Sequence, residues 1–157
     1  TPVLWDWGSH DIAMCLDLLG EFPKEIYAKR LEMRRTSKGI GEAISISLEF
    51  PSGTSAEIAI SNLLRKKERF FSVGFDNSAI TYDGMASSPL IFESPLNKLP
   101  MKSCKKVNIK VQKQMPLEVV IGEFCKIIRS NEFNTDELRL GVNVVKVLDG
   151  LQAFLEK

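Results

Sequence analysis

The sequence predicts an α+β fold, a mainly antiparallel (mixed) open β-sheet with helices packed on one face. Three observations predict it. A helical period opens the chain, a two-residue period follows over 23–82, and the helical period returns after Pro116. The connections between the alternating segments are short and polar, which favours antiparallel pairing, because parallel neighbours need crossovers of a dozen residues or more. A sheet with one apolar face must be covered, and three amphipathic helices can cover it.

Each element follows from its own pattern. After the aromatic opening Trp5-Asp6-Trp7-Gly8-Ser9, residues Ile12, Cys15, Leu16 and Leu19 fall at i, i+3, i+4 and i+7, one face of a helix over 10–19. Ser9 is its expected N-cap, Asp11 lies in the dipole-favoured first turn, and Gly20 is the expected stop. Five strands are then expected in one half-buried sheet. In the first, Ile26, Ala28 and Leu31 alternate with charged residues; in the second, Ile44, Ile46, Leu48 and Phe50 alternate with Ala43, Ser45, Ser47 and Glu49. Ala56, Ile58 and Ile60 follow the turn Pro51-Ser52-Gly53, Phe71 and Val73 follow the charged stretch 65–69, and Ile80 and Tyr82 follow Asp76-Asn77-Ser78.

The stretch 85–107 holds three prolines and no clean period, so it reads as an irregular connection, with 107–111 as an edge strand. From Pro116, suited to a first helical turn, Val119, Val120, Phe124, Ile127 and Ile128 make an apolar face. Asn134 with Glu137 resembles a capping box for a last helix, whose stripe is Leu140, Val144, Val147, Leu148, Leu151 and Leu155.

Composition bounds the function. The 157 residues, 44% apolar and 26% charged, suit one domain over 1–157 that excludes roughly 68–70% of its unfolded surface from water. With 21 basic and 20 acidic residues the net charge is +1, so no broad field is available to hold nucleic acid. No apolar run reaches the ~18 residues of a membrane span; the longest candidate, 12–19, is broken by Asp17. Cys15, Cys104 and Cys125 have no metal-ligand spacing and read as reduced thiols, which with the absence of a leader pattern gives a cytoplasmic expectation. The abrupt start at Thr1-Pro2 reads as a cut.

One histidine is present, His10, four residues after Asp6 and beside Asp11. The i, i+4 spacing places imidazole and carboxylate on one side of a helical turn. Imidazole titrates near neutrality, at about 6.5 when unperturbed, so the pair is a candidate acid/base group. Spacing alone fits a locally packed or capping histidine better. Gly39-Ile40-Gly41 begins like a dinucleotide loop, but Ile44 stands at the third glycine position and a strand period follows, so a hairpin turn is expected. The basic clusters 65–67 and 102–106 read as solvated loops, and Trp5 and Trp7 as packing aromatics.

The run Asp6-Trp7-Gly8-Ser9-His10-Asp11-Ile12, leading into Leu16-Asp17-Leu18-Leu19-Gly20, resembles the D-x-G-x-H motif that begins the C-terminal domain of the Gfo/Idh/MocA (glucose-fructose oxidoreductase / inositol dehydrogenase) family. The hairpin 43–61, the pair Phe71-Ser72-Val73-Gly74 and Ile80-Thr81-Tyr82-Asp83, and the two terminal helices are similar to that domain in pattern. The resemblance implies a substrate-binding, catalytic and oligomerising domain of an oxidoreductase that transfers hydride between NAD or NADP and a sugar, sugar derivative or polyol. It implies His10 as the acid/base group, Asp6 as its orienting partner, Trp7 and Asp11 as substrate contacts, and Gly8 as a tight backbone turn. Trp7 stands where the family more often has an aliphatic residue. The cofactor and the lysine of the E-K-P motif would belong to the protein's own N-terminal Rossmann domain, so no cofactor is expected on this chain and the fragment alone is expected to be inactive. A homo-oligomer through the sheet face is implied as well. A non-catalytic oligomerisation or interaction module of the same fold is the alternative, with Asp6 and His10 serving local structure only.

Overall fold

The computed structural model describes residues 2–37, 39–95, 104–111, 115–130 and 135–156. Its elements are a π-helical turn Leu4–Gly8, α1 (Ser9–Leu19), β1 (Glu25–Thr36), β2 (Gly39–Glu49), β3 (Ser55–Ser61), β4 (Phe70–Phe75), β5 (Ser78–Asp83), β6 (Leu90–Pro95), β7 (Cys104–Ile109), α2 (Pro116–Ser130) and α3 (Thr135–Leu155). The order of elements is α+β, as the periods require. They divide into two compact units, one of Thr1–Leu63 with Glu132–Lys157 and the other of Leu64–Asn131.

In the first unit β1, β2 and β3 form an antiparallel sheet in that order. Ala28 faces Ile46 across β1 and β2, while Ile46 faces Ile58 and Ile44 faces Ile60 across β2 and β3. Because strand side chains alternate between faces, this register gathers Ala28, Ile44, Ile46, Leu48, Ile58 and Ile60 on one side, and all six are buried. The turn Pro51-Ser52-Gly53 closes β2 onto β3: Gly53 adopts φ 86°, and its N–H donates to the Phe50 carbonyl at 3.0 Å. Gly39, at φ 119°, likewise turns β1 into β2, and the Thr36 hydroxyl donates to its carbonyl at 2.9 Å. A register shift between Arg30 and Glu32 marks a bulge at Leu31, which stays exposed instead of completing the apolar alternation.

Two helices cover this sheet. From α3 come the buried residues Val144, Val147, Leu148, Leu151 and Leu155, and from α1 come Ile12, Cys15 and Leu16. Gly150 lets α3 lie against β1, since a Cβ there would stand 2.6 Å from Ile26 Cδ1. Gly20 ends α1 as expected, in the left-handed conformation (φ 66°) with its N–H donating to the Leu16 carbonyl at 2.9 Å. The expected capping box at Asn134 lies outside the described residues.

The second unit holds β4, β5, β6 and β7 in that order, all antiparallel, so the described strands form two sheets and not the single one expected. The irregular stretch expected over 85–107 contains β6 and the start of β7. Pro89 precedes β6 and accepts the Asp83 N–H at 2.7 Å, and Pro95 is the strand's last residue, so the five residues between them keep every ladder donor. Helix α2 forms as expected, but Val119, Val120, Phe124 and Ile128 remain exposed, so two helices, not three, bury their stripes. No described helix is long and apolar enough to cross a membrane.

Truncating the centre of the first sheet tests this core: Ile46→Ala is expected to cost about 2–5 kcal/mol in denaturant unfolding, because Ile46 is fully buried between two strands and the helices. Ser45→Ala, one residue along and on the opposite side of the sheet, is expected to change stability by less than about 0.5 kcal/mol.

Candidate active site

The run carrying Asp6 and His10 is itself helical. The Trp5 and Asp6 N–H groups both donate to the Pro2 carbonyl at 3.1 Å, and the chain passes from the π turn into α1 without a break. Ser9 is therefore no N-cap: it is right-handed helical (φ −57°, ψ −39°) and its side chain makes no capping bond. Val3 and Leu4, both buried, extend the apolar stripe backwards and draw the helix with it.

The stripe explains the π turn. Leu4, Gly8, Ile12 and Leu16 are all buried and step by four residues. In a pure α-helix each such step drifts by about 40°, and three of them would carry Leu16 well round the helix from Leu4. A π turn holds nearly one residue more, so the step from Leu4 to Gly8 drifts the other way, by about 30°, and the net drift from Leu4 to Leu16 falls from about 120° to about 50°. Gly8 has ordinary helical angles (φ −61°, ψ −28°), so the tight turn expected of it does not occur. What it supplies is space. A Cβ at Gly8 would lie 3.3 Å from Ile60 Cδ1 and from Leu4 Cδ1, and 3.8 Å from Ile46 Cδ1.

Opposite this stripe the polar and aromatic residues emerge. Asp6, Trp7 and His10 are exposed, Trp7 at 46%, and Asp11 is half-buried. The four expected site residues thus lie within one and a half turns of one helical segment. The expected pairing is not made: no hydrogen bond or ion pair joins Asp6 to His10. Trp5, unlike Trp7, turns inward: its indole N–H donates to Gln152 Oε1 of α3 at 3.3 Å and fastens the start of the helix. Sequence reasoning missed the support of this segment by Ile60, although the four-residue stepping of Leu4, Gly8, Ile12 and Leu16 was its visible signal.

Other candidates carry no such constellation. Gly39 and Gly41 sit at the start of β2 in the first hairpin, not before a helix, so they cannot cradle a pyrophosphate. Among the described residues no group of three or more His, Cys, Asp or Glu side chains is placed to hold a metal. A hollow of about 280 Å³ lies between the tip of the first hairpin and Asn62 and Leu63, and one of about 390 Å³ lies between Lys67 and Met85 in the second unit. Neither contains Asp6 or His10, which stand on an open surface.

Burial, and secondarily the charge of Asp11, pushes the Cys15 thiol up to about 11. With Cys104 and Cys125 replaced by Ser, Cys15 is expected to react with a thiol reagent at pH 8 about a hundredfold more slowly in the folded chain than in the unfolded one, measured by absorbance of the released chromophore. The raised value also favours folding below about 9 and ceases to do so as pH rises toward 11, because the unfolded thiol ionises first; unfolding midpoints across that range should fall.

Residues 2–80 match the GFO/IDH/MocA C-terminal domain. A proposed oxidoreductase from Magnetospirillum magnetotacticum MS-1 superimposes with a TM-score of 0.83 at 28% identity, over 96% of this chain and 48% of that one. A UDP-N-acetylglucosamine 3-dehydrogenase from Acidithiobacillus ferrooxidans gives 0.79 at 18% identity over 97% and 46%. A 3-ketoreductase from Actinomadura kijaniata, in complex with NADP, gives 0.72 at 12% identity over 96% and 46%. The last two show likeness of fold. The chain spans about half the length of these solved relatives. No curated protein sequence matches it significantly.

Proposed function

The chain belongs to the GFO/IDH/MocA family as its C-terminal domain, and on that footing we propose that it is the substrate-binding and catalytic half of an NAD(P)-dependent oxidoreductase acting on a sugar, sugar derivative or polyol. The observation that carries this reading is the outward display of Asp6 and His10 from a helix whose inner side is locked onto the first sheet. The dehydrogenase and ketoreductase among the similar structures support a substrate that interconverts between hydroxyl and carbonyl, and the NADP bound to the latter supports a nicotinamide cofactor.

In this reading His10 takes the proton of the substrate hydroxyl on oxidation and returns it to the carbonyl oxygen on reduction. A positioned group of this kind contributes about 10²- to 10⁴-fold in rate. Asp6 orients the imidazole or accepts a hydrogen bond from the substrate. Trp7 offers an exposed ring as a wall for the sugar, and Asp11 a carboxylate one residue beyond the histidine. The cofactor does not fit this chain's own residues: the one glycine pair that resembles a phosphate loop lies in an antiparallel hairpin. Its binding is assigned to an N-terminal Rossmann domain, which would also complete the cleft over the open surface at His10. Self-association through a sheet belongs to the same reading; the outer side of β2 and β3 carries the small residues Ala43, Ser45, Ser47 and Ala59 beside Glu57, whose carboxylate accepts from the Ser47 hydroxyl.

In the complete parent enzyme, His10→Ala is expected to lower turnover by about 10²-fold or more with little change in KM; turnover within a few-fold of the unsubstituted enzyme would overturn the assignment. The 157-residue chain alone is expected to show no binding of NAD(H) or NADP(H) by calorimetry at micromolar concentrations. Tight binding would contradict the division of labour.

A further inference from the structure

We infer that Gly8 is a positioning residue for catalysis: by leaving room for Ile60 beneath the π turn, it fixes the direction in which Asp6 and His10 leave the helix. The inference rests on the role given to His10 above. It starts from a negative finding, that the backbone at Gly8 is ordinary helix which any residue can adopt. Space is what excludes a side chain there. The two atoms at 3.3 Å from a would-be Cβ, Ile60 Cδ1 and Leu4 Cδ1, stand closer than ordinary van der Waals contact. Neither can readily withdraw, because Ile60 is 4% exposed and Leu4 is 1% exposed, and Ile46 Cδ1, 3.8 Å from the same Cβ, closes a third side of the space.

A side chain at Gly8 would therefore lift or rotate the helix on the sheet by some tenths of an ångström. Asp6 and His10 flank Gly8 by two residues on either side, so they take up any such movement undiluted. The π turn sharpens the dependence, since its wider turn keeps Leu4 and Gly8 in register only while both stay seated. Proton transfer to a bound hydroxyl is sensitive to this, a misplacement of about 1 Å being able to cost about 10²-fold in rate.

The test uses the complete parent enzyme and four variants: Gly8→Ala, His10→Ala, the two combined, and Gly8→Ala with Ile60→Val, which deletes the very methyl that the added Cβ would meet. Gly8→Ala is expected to lower kcat about tenfold with KM changed less than about threefold, and Ile60→Val to restore about a third or more of the loss. In the His10→Ala background, Gly8→Ala is expected to change kcat by less than about twofold, because one residue acts through the other. A Gly8→Ala enzyme with unchanged kcat, or a loss of equal size in the His10→Ala background, would overturn the inference while leaving His10 in its role. A His10→Ala enzyme with full turnover would instead overturn the reading of the site itself. Should Gly8→Ala fail to fold, the Gly8→Ala/Ile60→Val pair, compared with Ile60→Val alone and each with and without His10→Ala, decides the question by the same criteria.

Discussion

Burial of one side of β2, where Ile44, Ile46, Leu48 and Phe50 are at most 1% exposed, is the constraint on which the first unit depends. At about 25 cal/mol per Å² of apolar surface removed from water, no hydrogen bond or ion pair described for this chain approaches the contribution of that row. The salt bridges are between exposed or partly exposed side chains, as with Arg34 and Glu32 at 3.2 Å, and contribute little each. The strands that flank the row carry the contacts that seat the helical segments: α3 lies on Ile26 of β1 through Gly150, and the π turn on Ile60 of β3 through Gly8.

Function is thereby tied to packing. A helix whose inner stripe is seated on aliphatic side chains has little rotational freedom, so the residues on its outer side leave in fixed directions. Pre-organisation of this kind costs a folded protein nothing further at the moment of reaction. The chain spans about half the length of the solved relatives, and the catalytic role proposed for Asp6 and His10 depends on the directions that this packing gives them.

Much of this was legible in the sequence, for reasons that particular residues make clear. Ile44, Ile46, Leu48 and Phe50 alternate with small polar residues, and only a half-buried strand produces that pattern. Ile12, Cys15 and Leu16 with Gly20 announced both the face and the end of α1, and the D-x-G-x-H run singled out Asp6 and His10 as the candidate site. The π turn was not legible, because a glycine and a serine before an apolar run look like a cap until the buried Val3 and Leu4 are known. Strand β6 hid between Pro89 and Pro95, which break the pattern without breaking the strand. The break into two sheets was equally hidden, since alternation reports which side of a strand is apolar and not which neighbour it pairs with.

The bulge at Leu31 has a bearing on how the protein survives at high concentration. β1 is the outermost strand of its three-stranded sheet, with one row of backbone N–H and C=O groups that no strand of that sheet covers. A long, flat border of this type would recruit other chains into intermolecular ladders. Here the kink between Arg30 and Glu32 twists the border, and Lys29, Arg30, Glu32, Arg34 and Arg35 crowd it with charge on both sides of the kink. A stray strand approaching it meets mismatched spacing and a cluster of cations, so the sheet guards its own margin against fibrillar growth.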